Sequence, residues 1–154
     1  MRFLGNFEAK ADAKGRVFLP SAFRKVLKDM GDERMVMRKD VFQACLVLYP
    51  ESVWNRQMDF LRSKLSRWNK THQQVFRQFV SEAEAVAFDD NGRFLIPKRI
   101  QQAEGVAGSV RFIGMGDTIE IWATGAAESA FMEQEKFGGV MEDIMKEQDP
   151  VITQ

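Results

Sequence analysis

The chain holds one cysteine, one histidine, one tyrosine and four prolines in 154 residues. A single thiol, Cys45, excludes an internal disulfide framework and suits a reducing compartment. A single imidazole, His72, leaves too few ligands for a histidine-based metal centre and no partner set for a catalytic triad. The longest uninterrupted apolar run, Ala44 to Tyr49, is far too short to cross a bilayer, and the N-terminus lacks a signal-peptide core. No glycine-rich phosphate loop and no metal-ligand spacing occurs. We therefore expect no cofactor, no metal, no small-molecule substrate, no membrane and no catalysis, in a cytoplasmic protein.

What is present is ordinary in bulk and uneven in distribution. At 45% hydrophobic and 29% charged residues the composition is that of a globular protein, which excludes the disordered and fibrous classes. The formal net charge of zero hides two opposed halves. Residues 1–80 carry 16 Lys and Arg against 8 Asp and Glu, whereas residues 81–154 carry 6 against 14. Such asymmetry points to a polyanion or a membrane surface, unless it marks two differently solvated faces.

The sequence also repeats itself. Asp12-Ala-Lys14-Gly15-Arg16, three apolar residues and Pro20 return 77 positions later as Asp89-Asp90-Asn91-Gly92-Arg93, three apolar residues and Pro97. One duplication of a unit near 75 residues, and not a solenoid, accounts for this. In each copy Asp-x-x-Gly forms a turn, because Asp folds back onto the backbone and Gly tolerates positive φ. Arg16–Leu19 and Arg93–Ile96 are the returning strands. Pro20 and Pro97 stop those strands and open helices, with Phe23, Val26 and Leu27 as the first helix's apolar stripe. Two strands follow in each copy: Arg34–Lys39 and Cys45–Tyr49, then Val110–Ile113 and Ile119–Trp122. Gly116-Asp117 is the hairpin signal between the last two. Each copy thus reads β-β-α-β-β.

A trailing helix is expected after each unit. Trp54, Met58, Leu61, Leu65 and Trp68 fall at seam spacing on one helix, whose exposed side is basic. The second trailing helix, near Ala126 to Phe137, is acidic, and Gly138-Gly139 separates it from an acidic, frayed tail. The expected divisions are residues 1–80, 81–137 and 138–154.

The doubled Asp-x-x-Gly-Arg with its following proline resembles the MraZ family of bacterial transcriptional regulators. Phe3, Gly5 and Leu46-Val-Leu-Tyr-Pro50 followed by Trp54 are similar to that family as well. The resemblance covers residues 1 to 137, and one copy alone would suggest only the wider AbrB-like superfamily. It implies an α+β, mainly β fold: two tandem AbrB-like swapped-hairpin units forming a pseudo-twofold, β-barrel-like protomer. It implies a homo-oligomeric ring that binds double-stranded DNA at direct repeats upstream of the division and cell-wall gene cluster, its own gene included. Repression and a nucleoid location follow.

The family's Asp-x-x-x-Arg signature falls on Asp12 and Arg16, and on Asp89 and Arg93. An arginine on a rigid hairpin can fork onto a phosphate or a guanine edge, or it can pair with its aspartate and merely shape the turn. We take Arg16, Lys14, Arg93 and Arg24 as DNA-contacting residues, and Asp12, Gly15, Asp89 and Gly92 as turn-shaping ones. Lys14 becomes Asn91, Arg24 becomes Gln101 and the second turn gains an extra acid, Asp90, so the first unit is expected to dominate. Lys25, Lys28, Arg34, Arg38 and Lys39 stand between auxiliary phosphate contact and a solvated face. Two other readings stay open: a dimeric AbrB-type antitoxin or transition-state regulator, and a ring scaffold for protein partners.

Overall fold

Antiparallel pairing dominates the computed structural model, which describes the chain except residues 1, 33, 99, 100, 102–107, 153 and 154. The first copy supplies β1 (Asn6–Lys10), β2 (Arg16–Phe18), α1 (Ser21–Asp29), β3 (Met35–Lys39) and β4 (Leu46–Pro50). The helices α2 (Glu51–Lys64) and α3 (Lys70–Ser81) follow. The second copy supplies β5 (Glu84–Val86), β6 (Arg93–Leu95), β7 (Ser109–Gly114) and β8 (Ile119–Ala123). The helix expected from Pro97 lies outside the described residues. A 3-10 turn (Thr124–Ala130) and α4 (Gln134–Ile152) complete the order.

Six strands form one sheet in the order β1-β7-β8-β4-β3-β5, and β2 pairs with β6 in a separate ribbon. By their order within each copy β1 corresponds to β5, β7 to β3 and β8 to β4, so the sheet order reads the same from either edge. The first strand of each copy hydrogen-bonds to the other copy's sheet: Phe7 lies opposite Phe112, and Val86 opposite Met35. The two copies meet where Val47 of β4 faces Glu120 of β8.

The barrel-like closure expected from the resemblance is corrected: the six-stranded sheet is open, with β1 and β5 as its edges. The strands that would have to bridge those edges, β2 and β6, pair with each other instead. Alternation sets the core. Met35 and Met37, Leu46 and Leu48, Phe112, and Ile119 and Ile121 turn one sheet face inward, each fully buried. Val17, Leu19, Phe23, Phe94 and Ile96 cover that face from the ribbon and α1. Gly31, at φ 77°, closes α1 by donating to the Lys28 carbonyl at 3.0 Å.

The first trailing helix is not continuous. α2 ends at Lys64, the chain extends at Leu65, and α3 restarts at Lys70, where the Asn69 side chain accepts from the His72 N–H at 3.0 Å. The expected seam therefore breaks: Trp54 is buried and stacks on Phe79 at 5.1 Å, whereas Trp68 is 98% exposed.

Residues Met1–Thr124 and Gly125–Gln154 are two separate compact units. In the second, the expected helix near 126–137 is replaced by the 3-10 turn and by α4, which runs through Gly138-Gly139 into the residues expected to fray. Two glycines cost a helix about 2 kcal/mol relative to alanine. The stripe Phe137, Val140, Met141, Ile144 and Met145 keeps helical spacing across them, with each of the five side chains exposed.

Candidate nucleic-acid interface

The two Asp-x-x-Gly-Arg turns have one local geometry. In the first, Asp12 Oδ1 accepts from the Lys14 N–H at 3.0 Å and the Arg16 N–H at 2.9 Å. In the second, Asp89 Oδ1 accepts from the Asn91 N–H at 2.9 Å and the Arg93 N–H at 3.0 Å. Gly15 (φ 87°) and Gly92 (φ 82°) take the left-handed position in each. The other carboxylate oxygen reaches the arginine Nε, at 2.8 Å for Asp12–Arg16 and 2.9 Å for Asp89–Arg93. The main-chain N–H of Arg16, with its guanidinium and the Lys14 N–H behind it, holds the Asp12 carboxyl below its ordinary pKa. Asp89 is lowered in the same way, first by the Arg93 N–H and then by the Asn91 N–H and the Arg93 side chain. Both aspartates thus shape turns. Each engages its arginine through Nε, and among the described residues no hydrogen bond joins a terminal guanidinium nitrogen to that carboxylate.

The turns stand at opposite ends of the β2–β6 ribbon. Arg16 lies opposite Leu95, Val17 opposite Phe94 and Phe18 opposite Arg93. Alternation puts Val17 and Phe94 into the core and Arg16, Phe18, Arg93 and Leu95 on the outer face. Phe18 is 51% and Leu95 53% exposed, and the Arg93 guanidinium lies 5.8 Å from the Phe18 ring centroid. Sequence reasoning missed Phe18 and Leu95, although the period-two spacing from Arg16 and Arg93 was the signal that finds them.

Arg24 is not part of the first turn. Its side chain packs against Gly92 of the second: a Cβ placed on Gly92 would stand 2.6 Å from Arg24 Nη1. Its counterpart Gln101 packs against Gly15 and donates to the Ile96 carbonyl at 2.5 Å. The main chain makes the same exchange, since Ile96 N–H donates to Gly15 at 3.0 Å and Leu19 N–H to Gly92 at 3.5 Å. Hence Lys14 and Arg16 gather at one turn, and Arg93 and Arg24 at the other. A cleft of about 270 Å³ beside the second turn is lined by Arg24, Leu27, Lys28, Asp32, Phe88 and Gly92.

Arg38, expected either to touch phosphate or to be solvated, does neither and is 5% exposed. Its Nε donates to the Phe79 carbonyl at 2.8 Å and its Nη2 approaches Gln78 O and Glu82 Oε2, each at 3.4 Å. It thereby satisfies the carbonyl end of α3. Asp40, Cys45 and Glu120 bring one donor atom each within 4.8 Å of one another, a grouping their spacing does not reveal. Asp40 already accepts from the N–H groups of Phe42 and Gln43, and Glu120 from Trp122 Nε1 at 2.9 Å. Both carboxylates thus already hold hydrogen-bond donors of their own. Among the described residues no helix is long and apolar enough to cross a membrane.

Fold and ribbon together define a mixed α and β protein with a mainly antiparallel sheet that presents arginines on an exposed antiparallel ribbon. A family model described as "MraZ protein, putative antitoxin-like" matches residues 2–78. The chain is 57% identical over 148 residues to the transcriptional regulator MraZ of Bacteroides fragilis, covering 96% of this chain and 94% of that protein. It is 56% identical over 149 residues to the protein of that name from Bacteroides thetaiotaomicron, covering 97% and 96%. The Christiangramia forsetii protein, also named transcriptional regulator MraZ, is 33% identical over 150 residues, with 97% and 96% covered. The chain belongs to the MraZ family.

Proposed function

We propose that this chain is a sequence-specific DNA-binding transcriptional repressor. It acts as a homo-oligomeric ring of tandem AbrB-like swapped-hairpin units, without catalysis or cofactor. Its operators are direct repeats upstream of the division and cell-wall gene cluster, including its own gene, so it works at the nucleoid. The observation that carries this reading is the outer face of the β2–β6 ribbon. A two-stranded ribbon fits the major groove, where an arginine can present two donors to a guanine O6 and N7. Arg16 and Arg93 stand on that face at opposite ends, each braced through Nε by an aspartate, with Lys14 and Arg24 beside them as phosphate partners. The relatives' name, transcriptional regulator MraZ, supports the same regulatory role.

The test is a mobility-shift titration on the DNA upstream of the chain's own gene. Several tandem repeats should bind more tightly than one, since a ring offers adjacent reading heads. Arg16→Ala should lose that binding while the oligomer mass is unchanged. Wild-type binding by Arg16→Ala overturns the site, and equal affinity for one and several repeats overturns the ring. The words "antitoxin-like" in the family description favour a second reading, a dimeric antitoxin-type regulator. A solution mass of two chains would select it.

A further inference from the structure

Between Phe60 and Ser81 the sequence contains Arg62, Lys64, Arg67, Lys70 and Arg77 and no aspartate or glutamate. Helix surfaces that merely need solvation usually mix signs, whereas a block of one sign is a polyanion footprint. The structure gathers part of this block. Arg62, Arg67 and Arg77 line one cleft of about 260 Å³ between the end of α2 and α3, with Gln73 and Phe76. Arg62 lies over Phe76, its guanidinium carbon 3.7 Å from the ring centroid. The Gln73 amide donates to the Arg67 carbonyl and fixes the turn that carries Arg67. Among the described residues Arg16, Arg38, Arg93 and Arg111 each reach a carboxylate. Among those same residues, no such pair is formed by the three arginines of this cleft.

Like charges converging without a counter-ion repel one another, and an anion relieves that repulsion. Guanidinium groups fork onto tetrahedral oxyanions, and the stacked Arg62 is already ordered to do so. We propose that the Arg62–Arg67–Arg77 cleft is a second DNA contact, which grips backbone phosphates independently of the β2–β6 ribbon. The proposal rests on the reading of the chain as a DNA-binding protein. Phosphates carry no sequence, so this contact strengthens all duplexes alike and leaves base discrimination to the ribbon.

Trp68, in the turn between α2 and α3, supplies the readout. It is 98% exposed, while Trp54 and Trp122 are 6% and 2% exposed, so a change at the surface near Arg67 reaches the emission through Trp68. The full chain is titrated with a duplex carrying the upstream repeats, with a scrambled duplex, and with inorganic phosphate. Both duplexes should change the emission, and the change should vanish in Trp68→Phe. Arg67→Ala with Arg77→Ala should weaken both duplexes equally and lower the salt slope by about 1.8, because two phosphates are no longer neutralised. Arg67→Lys with Arg77→Lys should restore most of the slope.

An unchanged slope in the double alanine variant, with wild-type binding intact and Arg16→Ala defective, overturns the cleft and leaves the ribbon standing. Failure of the wild type to bind either duplex overturns both. Tight response to inorganic phosphate without response to DNA assigns the cleft to a free anion and overturns the proposal. Response to DNA only in the triple variant Glu142→Gln, Asp143→Asn, Glu147→Gln assigns it to the acidic helix of a second copy, with the same consequence.

Discussion

The two Asp-x-x-Gly-Arg turns agree within themselves to about 0.1 Å in every corresponding hydrogen bond and differ in what lies against them. The first is flanked by its own Lys14 and by Gln101 from the second copy. The second has Asn91 in place of the lysine, and Arg24 from the first copy lies over its glycine. Along the chain, the second turn is poorer by two cations. In space, each turn has one arginine of its own and one further cation, and the second also carries the extra acid Asp90. Charge drift between duplicated halves is therefore judged at the place where the halves interleave, not within each half.

Substitutions at the two turns can upset that balance or measure it. The largest effect belongs to Arg16→Ala combined with Arg93→Ala, which should reduce operator binding to the level of scrambled DNA in an anisotropy titration. Each single variant should lose about 1–3 kcal/mol, the worth of a bidentate base contact. Equal single losses support equivalent turns, whereas a loss confined to Arg16→Ala returns dominance to the first.

Smaller effects come from the glycines. Gly15→Ala and Gly92→Ala should each cost about 1–2 kcal/mol in urea unfolding, because both sit at positive φ. Gly15→Ala should cost more. Its methyl would stand 3.1 Å from the main-chain oxygen of Ile96, whereas at Gly92 it meets the movable end of Arg24.

The exchanged pair gives a finer reading. Arg24→Gln should lower the salt slope of binding by about 0.9, and Gln101→Arg should raise it by as much. The pair exchanged together should restore the wild-type slope.

The smallest effect is the acid limb of stability. Asp12 and Asp89 have lowered pKa values in the folded chain, so their contribution is present above the ordinary aspartate value near 3.9. It fades as pH falls through their lower folded values. Asp12→Asn and Asp89→Asn should each flatten a thermal-melting profile taken below pH 4.

Much about the two turns was legible in the sequence, because turns report themselves locally. Asp, Gly and Arg at fixed offsets specify a turn whose bonds lie within five residues, and the structure has that turn twice, although the strands flanking it pair elsewhere and form no hairpin. Strand partners are not local. Nothing in the sequence says that Phe7 lies opposite Phe112, so the exchange of Arg24 and Gln101 was out of reach. The seam from Trp54 to Trp68 failed for another reason: five apolar residues at helical spacing ignored the cap formed by Asn69 three residues before His72. Gly138-Gly139 misled in the opposite direction, because two unfavourable residues were read as a stop while the stripe from Phe137 to Met145 ran on.

The crossing of β1 and β5 between halves also bears on how the protein meets dilution. Were the halves separate chains, their pairing would follow mass action and fail at low copy number. Joined through α2 and α3, each half finds the other at a fixed local concentration, for a loop-closure entropy that grows only with the logarithm of the connection's length. The join also forbids two like halves from pairing within one chain. Every chain therefore displays one turn of each kind, and the two are free to diverge.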